Sequence, residues 1–181
     1  MSQPVHTILF CEDLQLRVFV RRLLLKRGWE RRQIDEVPIP AGGAGVSWLR
    51  EELPRQLAAF RSRNARAQTS LIIGCDADEK TVAERIAWLE GGCTAASVRL
   101  RAPDERVALA IPRRNIETWL RYLRGEPVNE TEAFPKYETE SDCRGEVALL
   151  SEICGNQARW PGGAPPDSLL RACGEFQRLR E

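Results

Sequence analysis

Histidine, lysine and tyrosine are scarce in this 181-residue chain, which has one His, three Lys and two Tyr. The single histidine, His6, lies in an apolar run and reads as a buried or edge strand residue rather than a base, so the sequence offers no convincing Ser–His–Asp triad. The six cysteines, Cys11, Cys75, Cys93, Cys143, Cys154 and Cys173, contain no CxxC pair. With one histidine beside them, this argues against a structural zinc site. Cys11 and Cys75 fall in apolar runs and are expected to be small, reduced hydrophobes. No run of about 18 apolar residues occurs and no signal peptide is recognisable. The expectation is therefore a soluble cytoplasmic protein with no membrane contact, a setting in which disulfides are uncommon. Charge of one sign is lacking too: 27 basic side chains face 26 acidic ones, a net charge of +1. A nucleic-acid surface would have to arise from uneven placement. Two arginine-rich runs, residues 17–32 and 50–66, are candidates, each with a solvated helix face as the alternative.

What is present is a globular mix, 43% hydrophobic and 29% charged, long enough for one core. Residues 5–11 form a β-rich run that ends abruptly at Glu12-Asp13, as a buried parallel strand meets the loop at its carboxyl edge. Leu16, Phe19, Val20, Leu23 and Leu24 then recur at helical spacing, with Gly28 where a C-cap belongs. Residues 34–39 make a weaker strand. A glycine-rich turn at 40–45 follows, and then a helix carrying Trp48, Leu49, Leu53 and Leu57. The turn lacks the Lys-Ser/Thr ending of a P-loop and the spacing of a dinucleotide fingerprint, so it offers at most backbone near a phosphate. Residues 69–75 are the clearest strand. They run into Asp76-Ala77-Asp78-Glu79 and a helix from about Thr81 to Glu90. Residues 107–111 form a last strand, stopped by Pro112, with Asn115 able to cap a helix bearing Ile116, Trp119, Leu120 and Leu123. Alternating strands and helices imply an α/β fold with a mostly parallel sheet flanked by helices, over residues 1–125. Residues 126–145 are polar and proline-containing, and read as a mobile loop or lid. Short helices near 146–154 and 167–179 complete a helical extension, 126–181, packed on the first part. The tryptophans mostly fall at core spacing; Trp160, beside Pro161-Gly162-Gly163, is a candidate partner surface.

In a parallel sheet the carboxyl ends of the strands share one edge, where ligands collect. Glu12, Asp76 and Asp78 each directly follow a strand, so the fold can gather them although they are distant in sequence. Neighbouring carboxylates repel, and a hard cation between them relieves the repulsion; Mg²⁺ accepts a few carboxylates while keeping water. Such a site suits phosphoryl transfer. Asp13 either adds a ligand or caps the following helix. Arg113 and Arg114, after the last strand, are candidates to hold a substrate phosphate, with an exposed helix start as the alternative.

Phe10-Cys11-Glu12-Asp13 followed by the Phe19 and Leu23–Leu25 helix, together with Ile72-Ile73-Gly74-Cys75-Asp76-Ala77-Asp78, resembles the glutamate and Asp-x-Asp motifs of the TOPRIM domain. That domain occurs in topoisomerases, bacterial primases and nucleases related to the overcoming-lysogenization-defect family. The resemblance spans about residues 5–124. It departs from the family in having Asp13 where a glycine often follows the glutamate. Residues 111–119 are similar to small TOPRIM-like proteins of bacterial defence loci, which makes Glu117 an additional candidate metal ligand. The resemblance implies a TOPRIM-like, Rossmann-like fold, Glu12 in acid/base or metal-binding chemistry, and Asp76 and Asp78 on Mg²⁺ or Mn²⁺. The activity implied is a Mg-dependent nuclease in antiviral defence, with nucleic acid as substrate and a protein partner. Tyr122 and Tyr137 lack the context of a strand-passing tyrosine. The alternative is a non-catalytic TOPRIM-fold binding or regulatory subunit. A phosphoacceptor receiver is a third reading, disfavoured because Lys26, Lys80 and Lys136 do not follow a strand.

Overall fold

The computed structural model describes residues 6–40, 45–137, 142–154, 160–161 and 163–179. Most of the glycine-rich turn, residues 41–44, lies outside them. Four strands, β1 (His6–Cys11), β2 (Ile34–Glu36), β3 (Thr69–Gly74) and β4 (Val107–Ala110), form one sheet in the order β2-β1-β3-β4. All three pairings are parallel, with Thr7 opposite Ile34, Leu9 opposite Ile72 and Ile73 opposite Leu109. Helices α1 (Leu14–Lys26), α2 (Gly45–Asn64), α3 (Val82–Ala95), α4 (Ile116–Leu123), α5 (Arg144–Ile153) and α6 (Asp167–Gln177) flank it. This is the α/β architecture expected from the alternation of strands and helices.

Strand alternation divides the core in two. Leu9, Cys11, Ile72, Ala108 and Ala110 face the layer carrying α1, α4, α5 and α6. Ile8, Phe10, Leu71, Ile73 and Leu109 face α2 and α3. The extension beyond residue 125 thus shares a core with the sheet rather than building its own. It also covers the free edge of β4: Glu175 of α6, half of a partly buried pair with Arg101, accepts the Leu109 backbone N–H at 3.1 Å. That bond satisfies a donor an edge strand would otherwise expose.

Helix α3 runs past Glu90 to Ala95, further than the sequence pattern suggests. Gly91 and Gly92 lie in this added part, and a Cβ at Gly92 would stand 2.7 Å from Arg50 Cγ. The glycine lets α2 lie against α3 there. Arg50 in turn sits over Trp88, 4.7 Å from its ring centre. Both arginine-rich runs are largely consumed by local pairing, which favours their structural reading. Glu36 alone meets Arg17, Arg21 and Arg31 at 3.4, 3.1 and 2.7 Å, and Arg61 and Arg63 pair with Glu105 and Asp35. Trp29 and Trp119 are buried, their indole N–H groups bonded to Thr7 and Ser168. Trp160 packs beside Tyr122 with ring centres 6.0 Å apart.

One thiol expectation is corrected. Cys11 and Cys75 are buried and free, but Cys154, which ends α5, is joined to Cys173 of α6 by a disulfide. Nineteen residues separate the two, and only the packing of two short helices brings them together.

Candidate metal centre

The site lies where β1, β3 and β4 end. Sheet-like bonding continues past the strands: Glu12 N–H donates to Gly74 O at 2.9 Å, Cys75 N–H to Ala110 O at 3.2 Å, and Ala77 N–H to Pro112 O at 2.9 Å. These bonds hold the Glu12, Asp76 and Arg113–Asn115 segments side by side. Asp13 has extended backbone and caps α1, its Oδ1 accepting from Leu16 N–H at 2.8 Å. The capping alternative for Asp13 is thus the one observed, and its other oxygen, Oδ2, is buried. One carboxylate oxygen each from Glu12, Asp13 and Asp76 lies within 4.8 Å of the others. That is a span one cation can bridge, since Mg²⁺–O and Ca²⁺–O contacts run roughly 2.0–2.6 Å.

Satisfaction is the sharper observation. Glu12 Oε2, Asp13 Oδ2, Asp76 Oδ1 and Glu117 Oε2 are all buried and have no hydrogen-bond partner among the described residues. Asp76 is 3% exposed and Glu117 2%. A buried carboxylate oxygen without a donor costs several kcal/mol in its charged form. Four at one sheet edge call for something positive. Burial, then Asp13 and Asp78, push the Glu12 carboxyl up to about 7. Burial, with Asp13 and Glu12 nearby, holds Asp76 well above the usual carboxylate range, and burial raises Glu117. Each of these groups keeps its proton to higher pH than an exposed acid, because burial disfavours its charged form.

The sequence-expected residues are not all brought together. Glu12 and Asp76 are in the cluster, and Asp13 takes the third place. Asp78 is turned aside: its carboxylate pairs with the buried Arg85 at 2.6 Å and is more than half exposed. Arg85 also donates to Ala77 O at 3.1 Å and lies over Trp88. Asp78 has φ +54 and forms an isolated antiparallel bridge to Arg114, itself at φ +68. Two non-glycine residues in the left-handed region, bridged at the mouth of the site, are backbone strain of the kind that gathers at functional loops. Glu117, in the first turn of α4, stands beside the cluster rather than within it. Arg113 and Arg114 diverge. Arg114 lines the cavity of about 560 Å³ that opens onto Asp76, whereas Arg113 lines another of about 400 Å³ beside Ser168 and Arg171 of α6.

Sequence reasoning overlooked Arg85 and Lys136. Arg85 sits two turns beyond the Asp-x-Asp segment, and nothing in its neighbourhood marks it as buried. Lys136 lies in the polar stretch after Gly125, read as a mobile lid, yet the described part of that stretch is pinned to α4. Asn115 donates to Phe134 O at 2.6 Å and accepts from Phe134 N–H at 3.4 Å. Arg124 donates to the Tyr137 hydroxyl at 2.6 Å.

These features define a parallel α/β domain with a buried carboxylate cluster at its carboxyl edge. No family model, curated protein or solved structure matches the chain. No helix among the described residues is long and apolar enough to cross a membrane.

Proposed function

We propose that the chain is a metal-dependent phosphodiesterase acting on nucleic acid, a nuclease using Mg²⁺ or Mn²⁺. The observation that carries this reading is the set of four buried, partnerless carboxylate oxygens on Glu12, Asp13, Asp76 and Glu117. Glu12, Asp13 and Asp76 would hold the cation, with Glu117 receiving a water bound to it. When bound, such a cation neutralises phosphate oxygens and makes water more acidic. The protein's own groups do the rest. Without a cation the Glu12 carboxyl is raised to about 7, so binding a cation there would displace a proton. Arg114, facing the cavity, suits a phosphate. The TOPRIM-like motifs agree with this chemistry, and a role in antiviral defence with a protein partner follows from the same resemblance.

The decisive experiment pairs cleavage with calorimetry. Purified protein with Mn²⁺ or Mg²⁺ should cut labelled DNA or RNA, and Asp76→Asn should abolish both cutting and cation binding. Retention of full cutting by the variant would remove the proposal. The pairing of Asp78 with Arg85 favours a second reading, a regulatory subunit that keeps the fold without catalysis, because it withdraws one expected ligand. Under that reading no carboxylate-dependent cation binding is observed.

A further inference from the structure

The mouth of the carboxylate site carries positive charge that the rest of the molecule does not use. The cavity of about 560 Å³, lined also by Glu79 and by Asp78, whose carboxylate is taken up by Arg85, reaches Asp76, and Lys80, Arg114 and Lys136 line it from three separate segments. Their side-chain nitrogens have no hydrogen-bond or ion-pair partner among the described residues, although arginines elsewhere are consumed in pairs such as those at Glu36 and Glu105. Among the described residues no aromatic ring lines the cavity, so these residues offer no stacking platform for a base. What it offers is three cations around Asp76, the one member of the carboxylate cluster that lines it, with Glu79 beside them.

Lys136 is the best placed of the three. It stands between Phe134 and Tyr137, and both neighbours are fastened to α4. Phe134 is clamped at its backbone by Asn115 and lies under the Arg121 guanidinium, 5.0 Å from its ring centre. Tyr137 is held by Arg124 through its hydroxyl and its ring. The cost of ordering the backbone that carries this lysine is met before any ligand arrives. Its field falls on Glu12, Asp76 and Glu117 alike, yet it pairs with none of them.

We propose that Lys80, Arg114 and Lys136 form a phosphate subsite that holds a polynucleotide backbone phosphate beside the carboxylate cluster, with Lys136 of the 126–137 segment as its principal contact. The inference rests on the phosphodiesterase reading for the identity of the ligand, and it adds that recognition is through phosphate and not through the base. The segment after Gly125 thereby becomes part of the binding machinery. Three contacts of this kind give sequence-independent, salt-sensitive binding.

The test uses the full chain and two probes. The first is a fluorescein-labelled pentathymidylate with phosphorothioate linkages that resist cutting, followed by anisotropy at several salt concentrations with and without Mn²⁺. The second is Mn²⁺ alone, followed by calorimetry. Lys136→Met should weaken the oligonucleotide about tenfold and reduce the slope of log K against log salt by about 0.7, the value for one lost contact on a single strand. Lys136→Arg should restore most of both. Mn²⁺ affinity should be unchanged or higher in Lys136→Met, since a cation near the carboxylates is gone. Lys26→Met, on exposed α1 surface, should change nothing. An unaltered slope in Lys136→Met overturns the subsite and leaves the metal reading standing, as does failure of the unmodified protein to bind the oligonucleotide while it binds Mn²⁺. Lys136-dependent oligonucleotide binding without any Mn²⁺ binding would do the reverse.

Discussion

At the scale of single residues, the site is governed by unpaired charge. Glu12 illustrates the consequence. Its carboxyl is raised to about 7 in the folded protein, chiefly by burial, whereas an unfolded glutamate releases its proton near pH 4.3. The folded form therefore binds the proton more tightly. The associated stability is present in full below the unfolded value and is lost as pH rises through about 7. A shift of this size corresponds to on the order of 3 kcal/mol, and the raised Asp76 and Glu117 act in the same direction. Without divalent cations the protein should melt at a higher temperature at pH 5 than at pH 8. Added Mg²⁺ or Mn²⁺ should recover the difference at pH 8, because the cation replaces the protons. Asp76→Asn should flatten the profile. A melting temperature independent of pH between 5 and 8 would show that the cluster is better solvated than its burial indicates.

At the scale of elements, the site depends on how closely β1 and β3 approach α1. Gly74, the last residue of β3, has Cys11 Sγ 2.6 Å and Leu16 Cγ 3.3 Å from where a Cβ would stand. Cys11 precedes Glu12, and Leu16 donates the bond that caps α1 on Asp13. Gly74→Ala should destabilise the protein by about 1–3 kcal/mol through overpacking, and it should weaken cation binding by displacing Glu12 and Asp13. Chemical denaturation and calorimetry would measure the two effects. Wild-type values in both would mean that the strand yields more readily than its packing suggests. Much of this level was legible in advance. The apolar runs of β1, β3 and β4 and the helical spacing of α1 and α4 are direct imprints of burial on residue order. The roles of Gly91-Gly92 were not legible, because a glycine that ends a helix and one that admits a neighbouring side chain look alike along the chain.

At the scale of the whole molecule, the C-terminal third is bound to the sheet by apolar packing, by the Glu175 bond to β4 and by the Cys154–Cys173 disulfide. The bridge closes a loop of 19 residues, which in the chain-entropy account is worth about 3 kcal/mol. Reduction should lower the melting temperature by roughly 6–12 °C while leaving Mn²⁺ binding intact, since neither cysteine touches the carboxylate cluster. Identical melting with and without dithiothreitol would show that helix packing alone secures this region. Residue order by itself determined the parallel α/β frame, the burial of Cys11 and Cys75, and the presence of acids at the ends of β1 and β3. Those depend on local periodicity and on the rule that parallel strands end on one edge. Only the tertiary structure decided that Asp13 joins Glu12 and Asp76, that Asp78 turns to Arg85, and that Lys136 comes back over the site. Each of these follows from the direction of a side chain set by partners far away in sequence: a capped helix, a buried guanidinium, and an asparagine clamp on Phe134.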